Sequence, residues 1–285
     1  MSISRRNFLS LGAGAAAAWL AGAGRLAAAA KPRDRKIPIG LQLYSVRHAC
    51  QEDLPRVLEA VGQMGYQGVE FAGYYDRNAA DLRKLLDQNG LECCGTHISL
   101  DALAGDALKG TVEFNQTLGN RFLIVSWMPP SYAESVQSIK DTAKVYNELA
   151  EKVKGLGMRV GYHAHGGDFK KVEGEFAWNL LFENTSPEVV MQLDLGNCIE
   201  GGGDPIAILK RFPGRSGTIH LKESGGPPEA VVGEGEVDWP TVFEICRTTG
   251  GTEWYIVEHE RPAGDPLDNV KRCLQNVRKI LAQET

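Results

Sequence analysis

Basic residues are in the minority in this sequence. The 285-residue chain carries 31 Lys and Arg against 36 Asp and Glu, a formal net charge of −5. A chain so balanced offers no basic stripe of the kind a phosphate backbone requires, and nucleic acid is not an expected partner. No GxGxxG follows the first strand-like run, so the dinucleotide-binding alternative lacks its fingerprint. Gly201-Gly202-Gly203 has neither that spacing nor a P-loop lysine and reads as a tight turn. No phosphate cradle is visible. The six cysteines include no CxxC, and Cys93 and Cys94 stand side by side while the others are scattered, which is not the pattern of a disulfide framework.

The first thirty residues are a different material. Ser4-Arg5-Arg6-Asn7-Phe8-Leu9 precedes an Ala/Gly/Leu-rich segment without charge until Arg25, and Ala27 to Ala30 supply small-residue cleavage sites. A basic start, an apolar middle and a small-residue end make an export signal, and the paired arginines before Phe-Leu resemble the twin-arginine type. The competing reading is a retained membrane anchor, which the many glycines disfavour. Residues 1–30 are therefore expected to be a signal peptide and 31–285 the globular part, exported to the periplasm with no stable membrane insertion after signal removal.

From Ile37 onward strand-like and helix-like segments alternate without a long linker. Strands are expected at Ile37–Arg47, Gly68–Tyr74, Leu91–Leu100, Arg121–Trp127, Met158–His165, the run containing Asp194, Ser216–Glu223 and Trp254–Glu260. Helices are expected over Leu54–Met64, Ala79–Gln88, Val112–Leu118, Ala133–Lys154 and Leu267–Leu281. Apolar runs of this length suit strands buried on both faces. Eight strand–helix units in roughly 250 residues predict an α/β fold, the closed (β/α)8 TIM barrel, rather than an open doubly wound sheet.

Active sites of such barrels form at the C-terminal ends of the strands. The polar residues expected there are Gln42 and Tyr44, Glu70, His97, Trp127, His163 and His165, Asp194, His220 and Lys222, and Glu258 with Glu260. Paired members are two apart and so share one face of their strand. Asp194, which ends the apolar run VVMQLDLGN before Pro205 opens a helix, is either a site carboxylate or the cap of the next turn. A lone His in an apolar strand is usually a hydrogen-bonded core residue. Four successive strands that contribute His, Asp, His and Glu would crowd desolvated carboxylates, and one divalent cation resolves this. Mixed imidazole and carboxylate ligands suit Mn, Co, Fe or Zn.

The landmarks GLQLYSVR (40–47), GVEFAG (68–73), THISL (96–100), LDLGN (193–197) with GGDP (202–205), IHLKE (219–223), VGEGEVDW (232–239) and VEHE (257–260) occur in one order. Through them the chain resembles the sugar phosphate isomerase/epimerase superfamily with a xylose isomerase-like TIM barrel, from about Ile39 to the last helix. The resemblance implies one metal with ligands from the fifth to eighth strands, carried here by His163, Asp194, His220 and Glu258. His163 stands where many epimerases have Glu, and Tyr162-His163-Ala164-His165 looks like the Tyr-His-Asn-His of another branch with Ala for Asn. That departure weakens a symmetrical two-glutamate epimerisation and leaves open which of His163 and His165 is the ligand.

The chemistry implied is proton abstraction next to a carbonyl through an enediolate, giving isomerisation or epimerisation of a sugar or keto-sugar, or elimination from a keto-sugar or oxidised glycoside. Glu258, His163 and His165 are candidate bases, and Lys222 a candidate acid unless it merely pairs with Glu70 or Glu260. Gln42, Tyr44, Glu70, His97, Asn197 and Glu260 are expected to bind substrate hydroxyls, and Trp127 to stack on a sugar ring. Glu234 reads as part of a plain surface loop. The alternatives of other classes are a metal-dependent phosphodiesterase and a non-catalytic sugar-binding protein.

Overall fold

Eight parallel strands make the expected barrel, in the computed structural model, which describes residues 36–261 and 263–283; the expected signal peptide lies outside them. The strands are β1 Ile39–Gln42, β2 Gly68–Phe71, β3 Glu92–Ile98, β4 Phe122–Val125, β5 Arg159–His163, β6 Val190–Gln192, β7 Thr218–Leu221 and β8 Trp254–Val257. Around them lie α1 Arg47–Met64, α2 Ala79–Gln88, α3 Ala107–Leu118, α4 Val136–Lys154, α5 Ala177–Asn184, α6 Leu195–Glu200, α7 Pro205–Arg211, α8 Trp239–Thr248 and α9 Pro266–Gln283. A two-stranded antiparallel hairpin, Lys171–Val172 with Glu175–Phe176, follows β5. Among the described residues no helix is long and apolar enough to cross a membrane.

Each strand pairs in parallel with its sequence neighbour, and β1 pairs with β8. The remaining seam, between β6 and β7, has no continuous ladder: it is crossed by the bridge Asp194–His220, with the His220 N–H donating to the Leu193 carbonyl at 2.9 Å, and by the Met191 N–H donating to the Arg215 carbonyl at 2.8 Å. The barrel thus closes in part through two of the residues singled out as ligands.

The core has two compartments. Inside the barrel, Cys94, Phe122, Ile124, Val190, Trp254 and Ile256 form a dry plug. The second and larger one lies between the strands and the helices, from Leu41 and Val69 to Trp178, Phe243 and Val277. Alternation along the strands does the sorting, because successive side chains point to opposite faces. Val190 and Gln192, or Ile256 and Glu258, therefore share the interior, apolar below and polar above, and Thr218 shares it with His220. All six thiols are buried and unpaired.

Several boundaries differ from expectation. β1 stops at Gln42 because its side-chain oxygen accepts the Tyr44 N–H and turns Leu43–Val46 into a 3-10 helix. The first helix accordingly starts at Arg47, with a break at Asp53 ahead of Pro55, whose ring cannot donate an N–H. Val46 ends up behind the barrel wall instead of on a strand. After β6 an additional short helix, α6, precedes the one that Pro205 opens, and Asp194 caps it.

Candidate metal centre and active site

The upper interior of the barrel is filled by a single hydrogen-bonded layer. Glu70 lies at its middle, fully buried, and accepts from Gln42 Nε2 at 2.8 Å, from Gln192 Nε2 at 2.8 Å and from His220 Nε2 at 2.6 Å. His97 Nε2 is 3.1 Å from the same carboxylate and 2.8 Å from Gln192 Oε1. Burial would raise the Glu70 carboxyl, but His97 and His220 outweigh it and hold the group well below the usual carboxylate range. The layer needs Gly95 beside it: a Cβ there would meet Glu70 Oε1 at 2.3 Å.

Above Glu70, His163, Asp194, His220 and Glu258 turn their ligand atoms towards one another, all within 4.8 Å and all buried. His220 Nδ1 lies 2.7 Å from Glu258 Oε2 and 3.8 Å from Asp194 Oδ2. Burial opposes a charge on this imidazole, yet Glu70 and Glu258 on its two sides push it up to about 10. Glu258 is held well below its ordinary value, because His220 and Lys222 overcome its burial. Asp194 is the exception: burial raises it to about 7 even with Lys222 nearby. One of its oxygens, Oδ1, accepts the Asn197 N–H at 2.7 Å, and the other, Oδ2, is buried without a hydrogen-bond partner among the described residues.

Such an orphaned carboxylate oxygen costs about 1–3 kcal/mol or more unless something coordinates it. A divalent cation fits that need, and two imidazoles with two carboxylates are a donor set that Zn or a neighbouring transition metal accepts. A second group, His97, His163 and His220, also converges, but it brings no carboxylate and His97 Nε2 is already engaged by Glu70 and Gln192.

Around this centre lie the groups able to move protons. Lys222 is mostly buried, with Nζ 3.3 Å from Glu258 Oε1 and ion-paired to Glu260; burial lowers its pKa, but Asp194 and Glu258 outweigh that and raise it overall. His165 is half-buried, and burial lowers it, leaving a neutral ring whose buried Nδ1 has no partner among the described residues. Its backbone is fixed by Asp168, whose Oδ2 accepts the His165 N–H at 2.7 Å and whose Oδ1 accepts from Tyr132 at 2.5 Å and Tyr162 at 3.0 Å. His163 is buried and lowered by that burial and by its histidine neighbours. Four of the six histidines of the chain thus stand in one cluster, with ring centroids 4.5 Å apart for His163 and His220 and 4.9 Å for His163 and His165.

Not every expected substrate contact faces the mouth. Gln42 is fully buried, with its amide spent on Tyr44 and Glu70, and Glu70 itself lies beneath the histidines. Both expectations are corrected, since neither has a free face. Asn197 is buried and its Nδ2 donates to the Ala164 carbonyl at 2.9 Å, so it braces the β5 and β6 ends. Tyr44 leaves the strand for the 3-10 turn and is exposed, with Arg47 stacked 4.2 Å from its ring centre. Trp127 is 62% exposed at the end of β4, and Glu260 stays partly exposed at the rim. Lys222 pairs with Glu260 and not with Glu70. Glu234 is tied to Arg272 at 2.8 Å, as a plain loop residue.

Three contributors lie outside the residues expected from the sequence. Gln192 stands two residues before Asp194, the same period-two signal as the other pairs. Asp168 follows His165 by three. Glu223, next to Lys222, is buried and accepts from the N–H groups of Ser224 (3.0 Å) and Gly233 (2.6 Å) and from Trp239 Nε1 (3.0 Å), which folds the glycine-rich loop after β7 onto the barrel rim.

A model of the family described as xylose isomerase-like TIM barrel matches residues 58–280. Among curated proteins, the rhizopine catabolism protein MocC of Rhizobium meliloti is 26% identical over 268 aligned residues, covering 80% of this chain and 82% of that protein. An inosose dehydratase of Bacillus cereus (strain AH820) is 25% identical over 265 residues, covering 77% and 86%. Among solved structures, a sugar phosphate isomerase/epimerase from Parabacteroides distasonis ATCC 8503 superposes with a TM-score of 0.73 at 21% identity, over 89% of this chain and 98% of that one.

Proposed function

Since this chain belongs to the xylose isomerase-like TIM barrel family, we propose that it is a divalent-metal-dependent enzyme that removes the proton next to a carbonyl of a cyclic polyol or sugar and then expels a hydroxyl as water. The observation that carries the reading is the buried Asp194 Oδ2, which makes no hydrogen bond among the described residues and faces His220 at 3.8 Å within a four-donor set. His163, Asp194, His220 and Glu258 are the residues that would hold the cation. Its contribution when bound is Lewis-acid stabilisation of the charge that develops on the carbonyl oxygen.

The chain's own groups divide the remaining work. His165, half-buried and held neutral by that burial, takes the proton from the carbon next to the carbonyl. Lys222, kept protonated by its carboxylate neighbours, gives a proton to the departing hydroxyl. One C–H and one C–O bond break, one C=C bond forms, and water leaves. Base and acid stand on different strands and differ in kind, which suits elimination better than the return of a proton by a matching carboxylate. The name of the Bacillus cereus relative, an inosose dehydratase, agrees with this outcome and directs the choice of substrate towards keto-inositols.

Epimerisation is the second reading, favoured by the approach of Glu258 and His163 within the same donor set. The proposal includes export through the twin-arginine route on the strength of the N-terminal residues, to be checked by periplasmic fractionation.

Purified protein reconstituted with Mn, Co or Zn should be offered an inosose and a panel of keto-sugars in deuterated water. Dehydrated enone product that disappears with chelator is expected. Deuterium uptake with inverted configuration and no loss of water would replace elimination by epimerisation. No exchange at any carbon with any metal would reduce the protein to a binding module.

A further inference from the structure

Gln192 belongs to neither the donor set nor the proton-moving groups, yet it is fully buried at the centre of the layer. Its Cα is the ladder partner of His163, and all four of its polar contacts are made. Nε2 donates to Glu70 Oε1 at 2.8 Å and to Thr218 Oγ1 at 2.9 Å. Oε1 faces His97 Nε2 at 2.8 Å and His163 Nδ1 at 3.1 Å.

The amide has only one tenable orientation. The Glu70 carboxylate already accepts from Gln42 and His220, and a flipped amide would place its oxygen 2.8 Å from that carboxylate. With the NH2 end committed to Glu70, the carbonyl end must face the histidines. An amide oxygen only accepts, so both ring nitrogens that touch it must carry hydrogen. His163 is then the Nδ1–H tautomer, and its lone pair sits on Nε2.

We infer that Gln192 is a positioning residue, which through Glu70 fixes the tautomer of His163 so that Nε2 is the nitrogen free to act as a ligand with Asp194, His220 and Glu258. Glu70 sets His220 in the same way from the other side: Nε2–H donates to Glu70, and Nδ1 remains for the donor set. One buried carboxylate thus orients two imidazoles on different strands, one directly and one through an amide. Outer partners of this kind set the orientation and basicity of ligand histidines. The inference rests on the proposed donor set, whereas the tautomer itself is a property of the metal-free protein.

Metal-free protein labelled with 15N-histidine gives the direct test, by long-range 1H–15N correlation with the His163 signals identified by their loss in His163→Gln. The expected wild-type spectrum shows Nδ1 protonated and Nε2 bare. In Gln192→Met, which keeps the length and loses the acceptor, the two tautomers should mix. In Gln192→Glu an acceptor towards His163 remains only where the new carboxyl shares a proton with Glu70, which it faces at the 2.8 Å position of Gln192 Nε2, and in that form Nδ1–H should persist. Cobalt titration should show binding about ten- to a hundredfold weaker in Gln192→Met. A wild-type His163 carrying hydrogen on Nε2, or a His163 tautomer unchanged in Gln192→Met, would overturn the inference. Should Gln192→Met not fold, the wild-type spectrum decides alone. A wild-type protein with the Nδ1–H signature that takes up no cobalt would remove the metal reading and leave the positioning role standing.

Discussion

Asp194 and Asn197 divide one carboxylate between folding and chemistry: Asp194 Oδ1 accepts the Asn197 N–H at 2.7 Å and closes the first turn of α6, while Oδ2 stays buried beside His220 and makes no hydrogen bond among the described residues. The two expectations for Asp194, cap or ligand, are therefore compatible in one side chain. They separate by mutation. Asp194→Asn keeps a capping oxygen and removes the anion, and Asp194→Ala removes both. Both variants should lose the cation and turnover. In metal-free protein the Ala variant should be about 1 kcal/mol less stable than the Asn variant, the usual worth of a cap. Metal content by mass spectrometry and denaturant unfolding of the pair measure the two effects, and full activity in either variant would refute the site.

The Glu70–His220–Glu258 chain gives the metal-free protein a defined pH dependence. The folded-state value of His220, about 10, lies above the ordinary 6.5. A raised histidine contributes stability that is fully present below its unfolded value and is lost as pH rises through its folded value. Unfolding free energy of chelated protein should therefore decline between pH 6.5 and about 10. Glu70→Gln removes one of the two carboxylates responsible, and the decline should become shallower. Equal slopes in the two proteins would show that His220 does not carry this charge.

The histidines, carboxylates and lysine of the site could be read from the sequence because a barrel strand of period two converts spacing directly into direction. Thr218, His220 and Lys222, or Ile256, Glu258 and Glu260, need only the correct strand to point together. Gln192 carried the same spacing, but a single amide in an apolar run looks like any satisfied core residue, and only the fold brings Glu70 and two histidines to it. Tyr44 was misplaced for a local reason. IPIGLQLYSVR runs on like a strand, and the side chain of Gln42 that ends it acts through a bond no hydrophobic pattern reveals. Glu223 depends on a loop of glycines that folds back over ten residues, and α5 on packing of Trp178 and Phe182 against the barrel wall. Long-range hydrogen bonds were the part that pattern did not contain.

Trp127 offers a test of what lies at the mouth. At 62% exposure it packs little, so Trp127→Ala should change stability by no more than about 0.5 kcal/mol. The fully buried Trp178 differs, since its truncation should cost about 3–5 kcal/mol. If Trp127 stacks on the substrate ring, its loss removes binding common to ground and transition states, and KM should rise severalfold with kcat nearly unchanged. A fall in kcat at constant KM would place Trp127 among the residues that act on the transition state instead.

Gly95 supports the centre without touching it. It neighbours Glu70 across the β2–β3 pair, where the register shifts between Val69 and Glu70, and a methyl group at Gly95 would come within 2.3 Å of Glu70 Oε1. Real Cβ atoms do not approach so closely, so in Gly95→Ala the carboxylate must move. Its bond to Gln192 Nε2 is made by that same oxygen, and the shift therefore passes to Gln192 and then to His163. Gly95→Ala should weaken metal binding about tenfold or more, with every ligand residue intact, and should destabilise the protein by about 1–3 kcal/mol as other overpacked core sites do. Calorimetric metal titration beside a thermal melt distinguishes the two consequences. A variant that is destabilised yet binds the cation as tightly as the wild type would show that Glu70 can move without disturbing the histidines, and that the layer beneath the donor set is not what orients it.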